Sequence, residues 1–546
     1  MRIELHRQRG YRWQASDGVH VAGYVLLGEE VLDAATLARL MVDIREEAAF
    51  AAFVMRLKGC FALVRVTGDQ CWICCDHIRS IPVMWSVCDG EYIVSDSYRA
   101  FENRVVSTEA EEEFFATGYV TGSETLFKGV NQIGVGEWVL LRDGHGARRS
   151  RYFGFRYCGR AGGRKDHLDE MANVYDSMAK RLVNLLRGRA VVLPLSGGHD
   201  SRLLAYLLHK QGYQNVITYT YGRALNAESR TSRRVADYLA FRWHFIEYRN
   251  QELRDMYSNA SEYAAMADYC GNGFTVPLIQ EWRAVKCLAE GGELPEGAVF
   301  VPGYSNDFLA GSHLQGDSYY SEGAVPVIIR EHYRCWAWYR CRRAEHFRSA
   351  FRKRVERVLH EIGAQEWQGE DQVAEQCGAF DYHERQAKHI TNAVRMYEFY
   401  GYKWLLPFWD REVIDYWRSL PGDERSGRSL FLEYTKKEYG DLMRVAPVFA
   451  PRLHQIKQRL PKNRLVLWIA YALRFLMQAV AAKRTHFLNY YGYVSWREYW
   501  GAIVGFGTTS YYFMFSHRYL DYLRHRLADS EMWDSGDGHV RESTEK

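Results

Sequence analysis

Short apolar runs broken by turn residues set the texture of the first part of the chain. Residues 60–66, 70–75, 83–87 and 92–94 read as strands, separated by Thr67-Gly68-Asp69, by 76–82 and by Cys88-Asp89-Gly90. A further pair is expected around 136–141 and 150–155, on either side of Arg142-Asp143-Gly144. The Gly/Arg stretch CGRAGGR at 158–164 marks a boundary, and from about 166 the period lengthens. Residues 190–195 form an apolar run suited to a buried strand. Residues 202–210 then carry Leu203, Leu204, Leu207 and Leu208 at helical spacing, with Gly212 as the stop. A second strand at 216–221, a helix at 228–240 with Val235, Ala236 and Leu239 inward, and a third strand at 242–248 follow. Strands alternating with helices at this spacing predict a parallel sheet with helices packed on it, and 298–302 adds another strand. The remainder reads as mostly helical. Residues 529–546, polar and rich in Gly, Ser and Asp, read as a disordered tail.

Composition narrows the class. A chain of 546 residues, 47% hydrophobic and 25% charged, is globular and long enough for two to four domains at about 100–200 residues each. With 71 basic against 67 acidic residues the net charge is +4, which gives no support to a nucleic-acid partner. Eleven cysteines, an odd number, exclude a fully paired disulfide framework and point to a reducing compartment. No apolar segment follows Met1-Arg2-Ile3-Glu4, so no signal peptide is expected. The strongest membrane candidate, LVLWIAYALRFLMQAVAA at 465–482, is interrupted by Arg474 and barely reaches the roughly 20 residues that span a bilayer. It reads as a buried helix, with a helix lying on a membrane surface as the alternative. The expected location is therefore cytoplasmic, with peripheral membrane contact left open.

The most informative stretch is VVLPLSGGHDS at 191–201. A buried strand runs straight into Ser196-Gly197-Gly198, and a helix opens after Asp200-Ser201. Glycines at such a turn let backbone approach a phosphate, while the helix start supplies N–H groups and a positive dipole end. Ser196 and Ser201 add hydroxyls. Asp200 among phosphate donors makes sense if a Mg²⁺ bridges them. A Walker A loop is excluded, since no Gly-Lys-Ser/Thr follows, and the G-x-G-x-x-G spacing of dinucleotide folds is absent. The stretch resembles the pyrophosphate loop of ATP pyrophosphatases, and the asparagine synthase-like branch fits best. That resemblance implies that Ser196, Gly197, Gly198, Asp200 and Ser201 bind ATP and pyrophosphate, and that ATP and Mg²⁺ are the cofactors.

A second segment, VFVPGYSNDFLAGS at 299–312, is similar to the Gly-x-x-x-Asp loop of the same branch. The resemblance implies that Asp307 joins Asp200 at one metal site. Asparagine synthases carry Glu after this Gly. Gly303-Tyr304 instead resembles β-lactam synthetases, which implies a catalytic role for Tyr304 in activating an amine; a packing role is the alternative. A third segment, WLLPFWDREVIDYWRSLP at 404–421, looks like the family's Pro-Phe-Leu-Asp segment, with Asp410 expected to cap the helix carrying Val413, Ile414 and Trp417. The family's preceding Glu-x-Arg is replaced by Lys403-Trp404-Leu405, which argues against aspartate as acceptor. Glu384 falls in the range of the family's catalytic Glu, although its spacing does not match and a solvated helix-face Glu is the plainer reading. The family also places a Lys beyond this region. Lys436, Lys437, Lys457 and Lys462 are available, and none stands in a recognisable context.

The segments at 57–62, 76–82, 95–96 and 125–136 resemble the glutaminase domain that precedes asparagine synthase. That reaction needs a Cys carrying the chain's own α-amine. Arg2 follows Met1 here, and no Cys precedes Cys60, so glutaminase activity is expected to be absent. Cys71-x-x-Cys74-Cys75 lacks the second ligand pair of a zinc site and reads as buried reduced thiols.

Together these readings give an α/β chain. Its expected parts are an N-terminal αββα sandwich of the N-terminal-nucleophile type at 1–157, a parallel-sheet ATP pyrophosphatase domain at 166–460, a helical extension at 461–528 and the tail. The implied function is an ATP-dependent ligase that adenylates a carboxylate and transfers ammonia or an amine to it. The resemblance extends to proteins of bacterial surface-polysaccharide clusters, which implies uronic acids as acceptors, sugar-linked carboxylates as partners and a separate protein as a source of ammonia. Two alternatives stand beside it: an intramolecular lactam-forming synthetase, and an inactive ATP-binding scaffold.

Overall fold

The computed structural model describes all residues except 29, 103, 161, 225, 317–318, 334–343, 370, 447–475, 477–491, 507–510 and 535–546. The first part of the chain builds two facing sheets. The strands are β1 (Arg2–Glu4), β2 (Gln14–Ser16), β3 (Val19–Leu27), β4 (Glu30–Asp33), β5 (Leu57–Thr67), β6 (Gln70–Cys75), β7 (Met84–Cys88), β8 (Glu91–Ser95), β9 (Asn131–Gln132), β10 (Glu137–Arg142) and β11 (Arg148–Arg151). One sheet has the order β11-β10-β6-β5-β3-β2, with β4 on β3, and the other β1-β8-β7-β9.

The alternation of side chains along a strand builds the layers. On β5 and β6, Phe61, Leu63, Trp72 and Cys74 face one way. They pack with Val19, Val21 and Val25 of β3 against helices α1 (Ala34–Leu40) and α2 (Glu47–Val54). Cys60, Ala62, Val64, Cys71, Ile73 and Cys75 face the other sheet, joining Met84, Ile93 and Val94. Both faces are dry, which explains the continuous apolar runs. The cysteines of 71–75 are therefore split between the two faces of one strand. All of them are free and buried, and among the described residues no cluster of three potential metal ligands occurs.

Strand β3 was not expected from the sequence. Its register brings Gly23 opposite Phe61, where a Cβ would stand 2.0 Å from the Cys60 carbonyl, so close strand approach requires a glycine there.

The second part holds a five-stranded parallel sheet of β12 (Val191–Pro194), β13 (Val216–Gly222), β14 (Arg242–Glu247), β15 (Val299–Phe300) and β16 (Lys403–Trp404), in the order β14-β13-β12-β15-β16. Helices α3 (Thr108–Thr117), α4 (Arg164–Leu186), α5 (Asp200–Lys210) and α6 (Ala227–Tyr238) complete the elements used below. The expected strands at 190–195, 216–221, 242–248 and 298–302 are all present within a few residues; β16 is additional. From β12 the chain proceeds outward to β13 and β14, then returns to the opposite side of β12 as β15. The sheet therefore has a topological switch point between β12 and β15, and in open parallel sheets ligands bind outside the strands' carboxyl ends at such a point.

The Gly/Arg boundary is tied down rather than loose: the Cys158 and Arg160 N–H groups donate to the carbonyls of Arg418 and Ser419 at 2.7 and 2.8 Å. The end of the described chain also differs from expectation. A helix, Tyr511–Asp534, runs through the first six residues of the segment read as tail, and residues 535–546 lie outside the described residues. It returns to α3, where Arg524 donates to Glu111 at 2.5 Å and the Tyr519 ring stacks on Phe114 at 5.6 Å. Except for Leu476, residues 465–482 lie outside the described residues. Among the described residues, no helix is long and apolar enough to cross a membrane.

Candidate functional site

Two loops meet at the switch point. The first follows β12, where Val191, Val192 and Leu193 are fully buried and fix the strand end against which the turn is built. Within the loop the Ser196 N–H donates to the Ser201 hydroxyl at 3.0 Å. The two hydroxyls lie 3.0 Å apart, and the Gly198 N–H donates to Ser196 Oγ at 3.2 Å. The loop is thus folded around its own serines at the start of α5. The second loop follows β15. A Cβ on Gly303 would stand 3.0 Å from the Ser201 nitrogen and 3.2 Å from the Asp200 carbonyl carbon, so a glycine is what lets the loops touch.

The acidic pair sits at this junction. Asp200 Oδ1 accepts from Asn306 Nδ2 at 2.8 Å and from the Arg428 guanidinium at 2.6 Å. Burial pushes the Asp200 carboxyl up to about 6; Arg428 pulls the other way, and the charge of Asp307 adds to the rise. Two carboxylates that repel across a partly buried gap are a donor set suited to a divalent cation. The surroundings are otherwise positive. Burial and the charges of Arg428 and Arg202 push His199 down to about 4, and its Nδ1 is buried with no hydrogen-bond partner among the described residues. Carboxylates for a cation inside a positive field for phosphate fit a Mg²⁺–polyphosphate ligand.

Tyr304 lies next in the chain to Gly303. Its hydroxyl stands 2.8 Å from that of Tyr397, and Tyr397 donates to Glu281 at 2.6 Å. Glu281 also accepts from Tyr219 at 3.3 Å and from Tyr304 itself at 3.4 Å. Burial raises the Glu281 pKa, against the pull of these phenols. Tyr304 is therefore joined to a carboxylate, Glu281, directly and through Tyr397.

Glu384 faces the other way. It is buried rather than solvated, accepting from Lys388 at 2.6 Å and from the Gly122 N–H at 3.1 Å, which ties it to the first part of the chain. Burial pushes it up to about 7, opposed by Lys388. On the same π-helical stretch, Tyr382–Ile390, it is Gln386 that reaches the site loop, accepting from the Ser305 hydroxyl at 2.7 Å. Asp410 caps the helix Arg411–Ser419 through the Glu412 N–H at 2.9 Å and holds Arg181 by two bonds of 2.8 Å, as its motif led one to expect.

Among the described residues no lysine is hydrogen-bonded to or ion-paired with Asp200. Lys437 pairs with Asp169, and Lys457 and Lys462 lie outside the described residues. The cation at Asp200 is Arg428, which the sequence reading missed. Its only local signal is Gly427-Arg428-Ser429 ahead of an apolar helical run, with Arg428 itself in a left-handed conformation at φ 62°. Glu281 carried no motif, and Tyr397 stands in the Tyr-Glu-Phe-x-Gly stretch 397–401, which resembles the same family but gave no role for the phenol. A groove of about 490 Å³, lined in part by Asn215, Arg242 and Glu293, opens near the starts of β13 and β14, away from these loops.

Residues 173–289 match the asparagine synthase family model. The matched segment runs from within α4 through the Ser196–Ser201 loop to the helix Trp282–Glu290, and it stops short of Gly303–Asp307. The match supports an ATP-dependent amidating ligase in general terms. No curated protein matches the chain. Among solved structures, an NH3-dependent NAD synthetase from Campylobacter jejuni in complex with the nitrate ion aligns at 14% identity. It covers 40% of this chain and 94% of its own, with a TM-score of 0.21. An allosteric regulatory enzyme of purine biosynthesis aligns at 12% identity over 43% of this chain and 61% of its own, with a TM-score of 0.17. Neither likeness is close enough to bear on the site.

Proposed function

We propose that the chain is an ATP-dependent amide-forming ligase that adenylates a carboxylate and passes the acyl group to an amine. The observation that carries this reading is the meeting of the Ser196–Ser201 and Gly303–Asp307 loops at the switch point, which brings Asp307 close enough for its charge to act on Asp200 beside Arg428. A bound Mg²⁺ would neutralise polyphosphate charge there, with Asp200 and Asp307 as its ligands.

In the first step an acceptor carboxylate oxygen attacks the α-phosphorus of ATP, and the bond to the β-phosphate oxygen breaks. The Ser196–Ser201 loop and Arg428 hold the departing pyrophosphate. In the second step the amine attacks the acyl carbon, the C–N bond forms and AMP leaves. The proton shed by the amine is assigned to Tyr304, passing by way of Tyr397 to Glu281, a buried carboxylate whose pKa is raised by burial and which both phenols reach. Glu281 takes the part for which the sequence offered Glu384.

The domain limits 1–157, 166–460 and 461–528 belong to the same reading. The paired sheets with helices on their outer face support a glutaminase-like sandwich of the N-terminal-nucleophile type for the first part. Its interior holds Cys60 buried beside Tyr24, unsuited to a nucleophile that must carry the chain's α-amine. Nitrogen then comes from ammonia, from a partner protein or from an amine on the substrate. Uronic acids of surface polysaccharide are the acceptors we favour, on the sequence resemblance alone. Lactam closure within one substrate is the second reading, favoured by the Tyr304–Glu281 link.

The test is pyrophosphate release from ATP–Mg²⁺ with a panel of free and nucleotide-linked uronic acids, with and without ammonium, beside Asp200→Asn. Release that needs one acid and disappears in the variant supports adenylation. A need for ammonium separates amidation from ring closure, and silence across the panel with ATP still bound favours the scaffold.

A further inference from the structure

Six residues beyond Asp307, the same loop carries His313. Its Nδ1 lies 2.5 Å from Asp381 Oδ2, and its side chain is 37% exposed while that of Asp381 is only 8% exposed. The other oxygen of Asp381 accepts from Gln386 Nε2 at 3.2 Å, and Gln386 accepts from Ser305. A chain of four side chains, Ser305–Gln386–Asp381–His313, therefore leaves the loop after β15, crosses the helical wall and returns to the same loop. Gly311 clamps the span between: at φ 95° it approaches Arg425 so closely that a Cβ would lie 2.2 Å from its carbonyl oxygen. The imidazole is held from behind by a buried carboxylate, and its ring orientation is set from both ends of the loop.

An exposed imidazole so fixed is a costly arrangement for mere packing, because the buried carboxylate needs a charged partner. Burial alone would lower the His313 pKa; the attraction and hydrogen bond of Asp381, with Asp307 adding to them, outweigh it and the net shift is upward. The same pairing holds Asp381 well below the usual carboxylate range against its own burial. The groups facing this pair are Asp307, Arg385 and His332, and His332 itself stays neutral, its Nδ1 3.1 Å from the Tyr119 hydroxyl. The structure thus places an imidazole paired with a buried carboxylate on the loop that carries Asp307, while Arg428 stands at Asp200.

We propose that His313, braced by Asp381, is an anion-binding residue of the site that grips the terminal phosphates of a nucleoside triphosphate. The placement supports the polyphosphate rather than the acceptor acid: the ring lies on the loop that carries Asp307, and a divalent ion at Asp200 and Asp307 would bridge those same phosphates. The proposal rests on the reading of this cleft as an ATP site. Asp381 and Gln386 are positioning residues in it.

Calorimetric titration of the full-length protein separates the cases, with Mg²⁺–pyrophosphate, AMP and inorganic phosphate as probes. In His313→Gln, pyrophosphate affinity is expected to fall about tenfold, the loss of one charge-assisted hydrogen bond, with AMP affinity unchanged. Asp381→Asn is expected to weaken pyrophosphate less and to leave AMP alone, and His313→Lys to restore part of the loss. Thermal melting of each variant guards against unfolding. Pyrophosphate affinity within twofold of wild type in a folded His313→Gln overturns the proposal and leaves the ATP reading standing. Equal losses for AMP and pyrophosphate overturn it as well, since that is the mark of a loosened loop. Wild-type protein that binds neither AMP nor pyrophosphate overturns the ATP reading and this inference together.

Discussion

Arg428 donates to Asp200 at 2.6 Å across 228 residues of sequence, joining the start of α5 to the turn before the helix Ser429–Val445. The contact puts a guanidinium against the carboxylate that the nucleotide's metal would claim. Asp200→Asn is expected to reduce acid-dependent pyrophosphate release by about 100-fold or more, since several kcal/mol of charge stabilisation rests on such a metal. The variant should melt within a few degrees of wild type. A folded variant with undiminished release would remove Asp200 from the mechanism.

Removing the Tyr304 hydroxyl should divide the two half-reactions. Tyr304→Phe and Glu281→Gln are each expected to slow amide formation by about 10²–10⁴-fold, the usual range for a positioned proton acceptor. Acid-dependent exchange of labelled pyrophosphate into ATP should be kept. Equal loss of exchange and amide formation in a folded variant would show that Tyr304 packs rather than reacts.

Gly303→Ala adds one methyl group where the backbone of Asp200 and Ser201 already stands at 3.0–3.2 Å. The cost is expected to be about 1–3 kcal/mol, as for other overpacked sites. Because the displaced atoms belong to the loop proposed to hold the phosphates, nucleotide affinity should fall together with stability. Melting temperature and AMP titration check both; a variant that is destabilised yet binds AMP normally would place the flexibility elsewhere.

His389 gives a pH dependence whose sign can be worked out. Burial, with Arg385 adding repulsion, pushes its imidazole down to about 3, and its Nδ1 lies 3.1 Å from Thr275 Oγ1. Unfolded histidine titrates near ~6.5. The folded chain therefore keeps this ring neutral between about 6.5 and 3 while the unfolded chain takes up a proton, so its stabilising contribution is complete above 6.5 and declines as pH falls. Between pH 7.5 and pH 5 the loss should be about 2 kcal/mol. Denaturant titration at both values, wild type against His389→Gln, isolates it; parallel losses in the two proteins would contradict it. Asp200 and Glu384, raised to about 6 and about 7, act in the opposite direction and are common to both proteins.

What could be read from the sequence was what has a period or a motif. The strands β12, β13 and β14 follow from apolar runs at a βα repeat, and the Ser196–Ser201 turn from its glycines between strand and helix. Asp307 could be named because its loop ends a strand of the same sheet. Arg428 and Glu281 were illegible because each reaches the site by tertiary packing, with no spacing to betray it, and the Tyr-Glu-Phe-x-Gly stretch marked Tyr397 without saying what its phenol would meet. Glu384 misled for the same reason: position along the chain placed it near the site, while the twist of Tyr382–Ile390 turns it to Gly122 and offers Gln386 instead. Strand β3 was missed although Val19, Val21 and Val25 alternate inward, because Gly23 in its middle, which close approach to Cys60 requires, breaks the apolar run.

The helix Tyr511–Asp534 sets a condition on biosynthesis. Arg524 meets Glu111 across 413 residues, and the Tyr519 hydroxyl accepts from the Gly273 N–H at 2.9 Å. At roughly 5–20 residues per second, a ribosome needs about 20–80 seconds after making α3 before that partner emerges. Until then the aromatic face around Phe114 stands open. The early sheets must therefore either wait half-made or be shielded by a holdase, and a message cut short near its end would leave a chain whose first-made surface never closes.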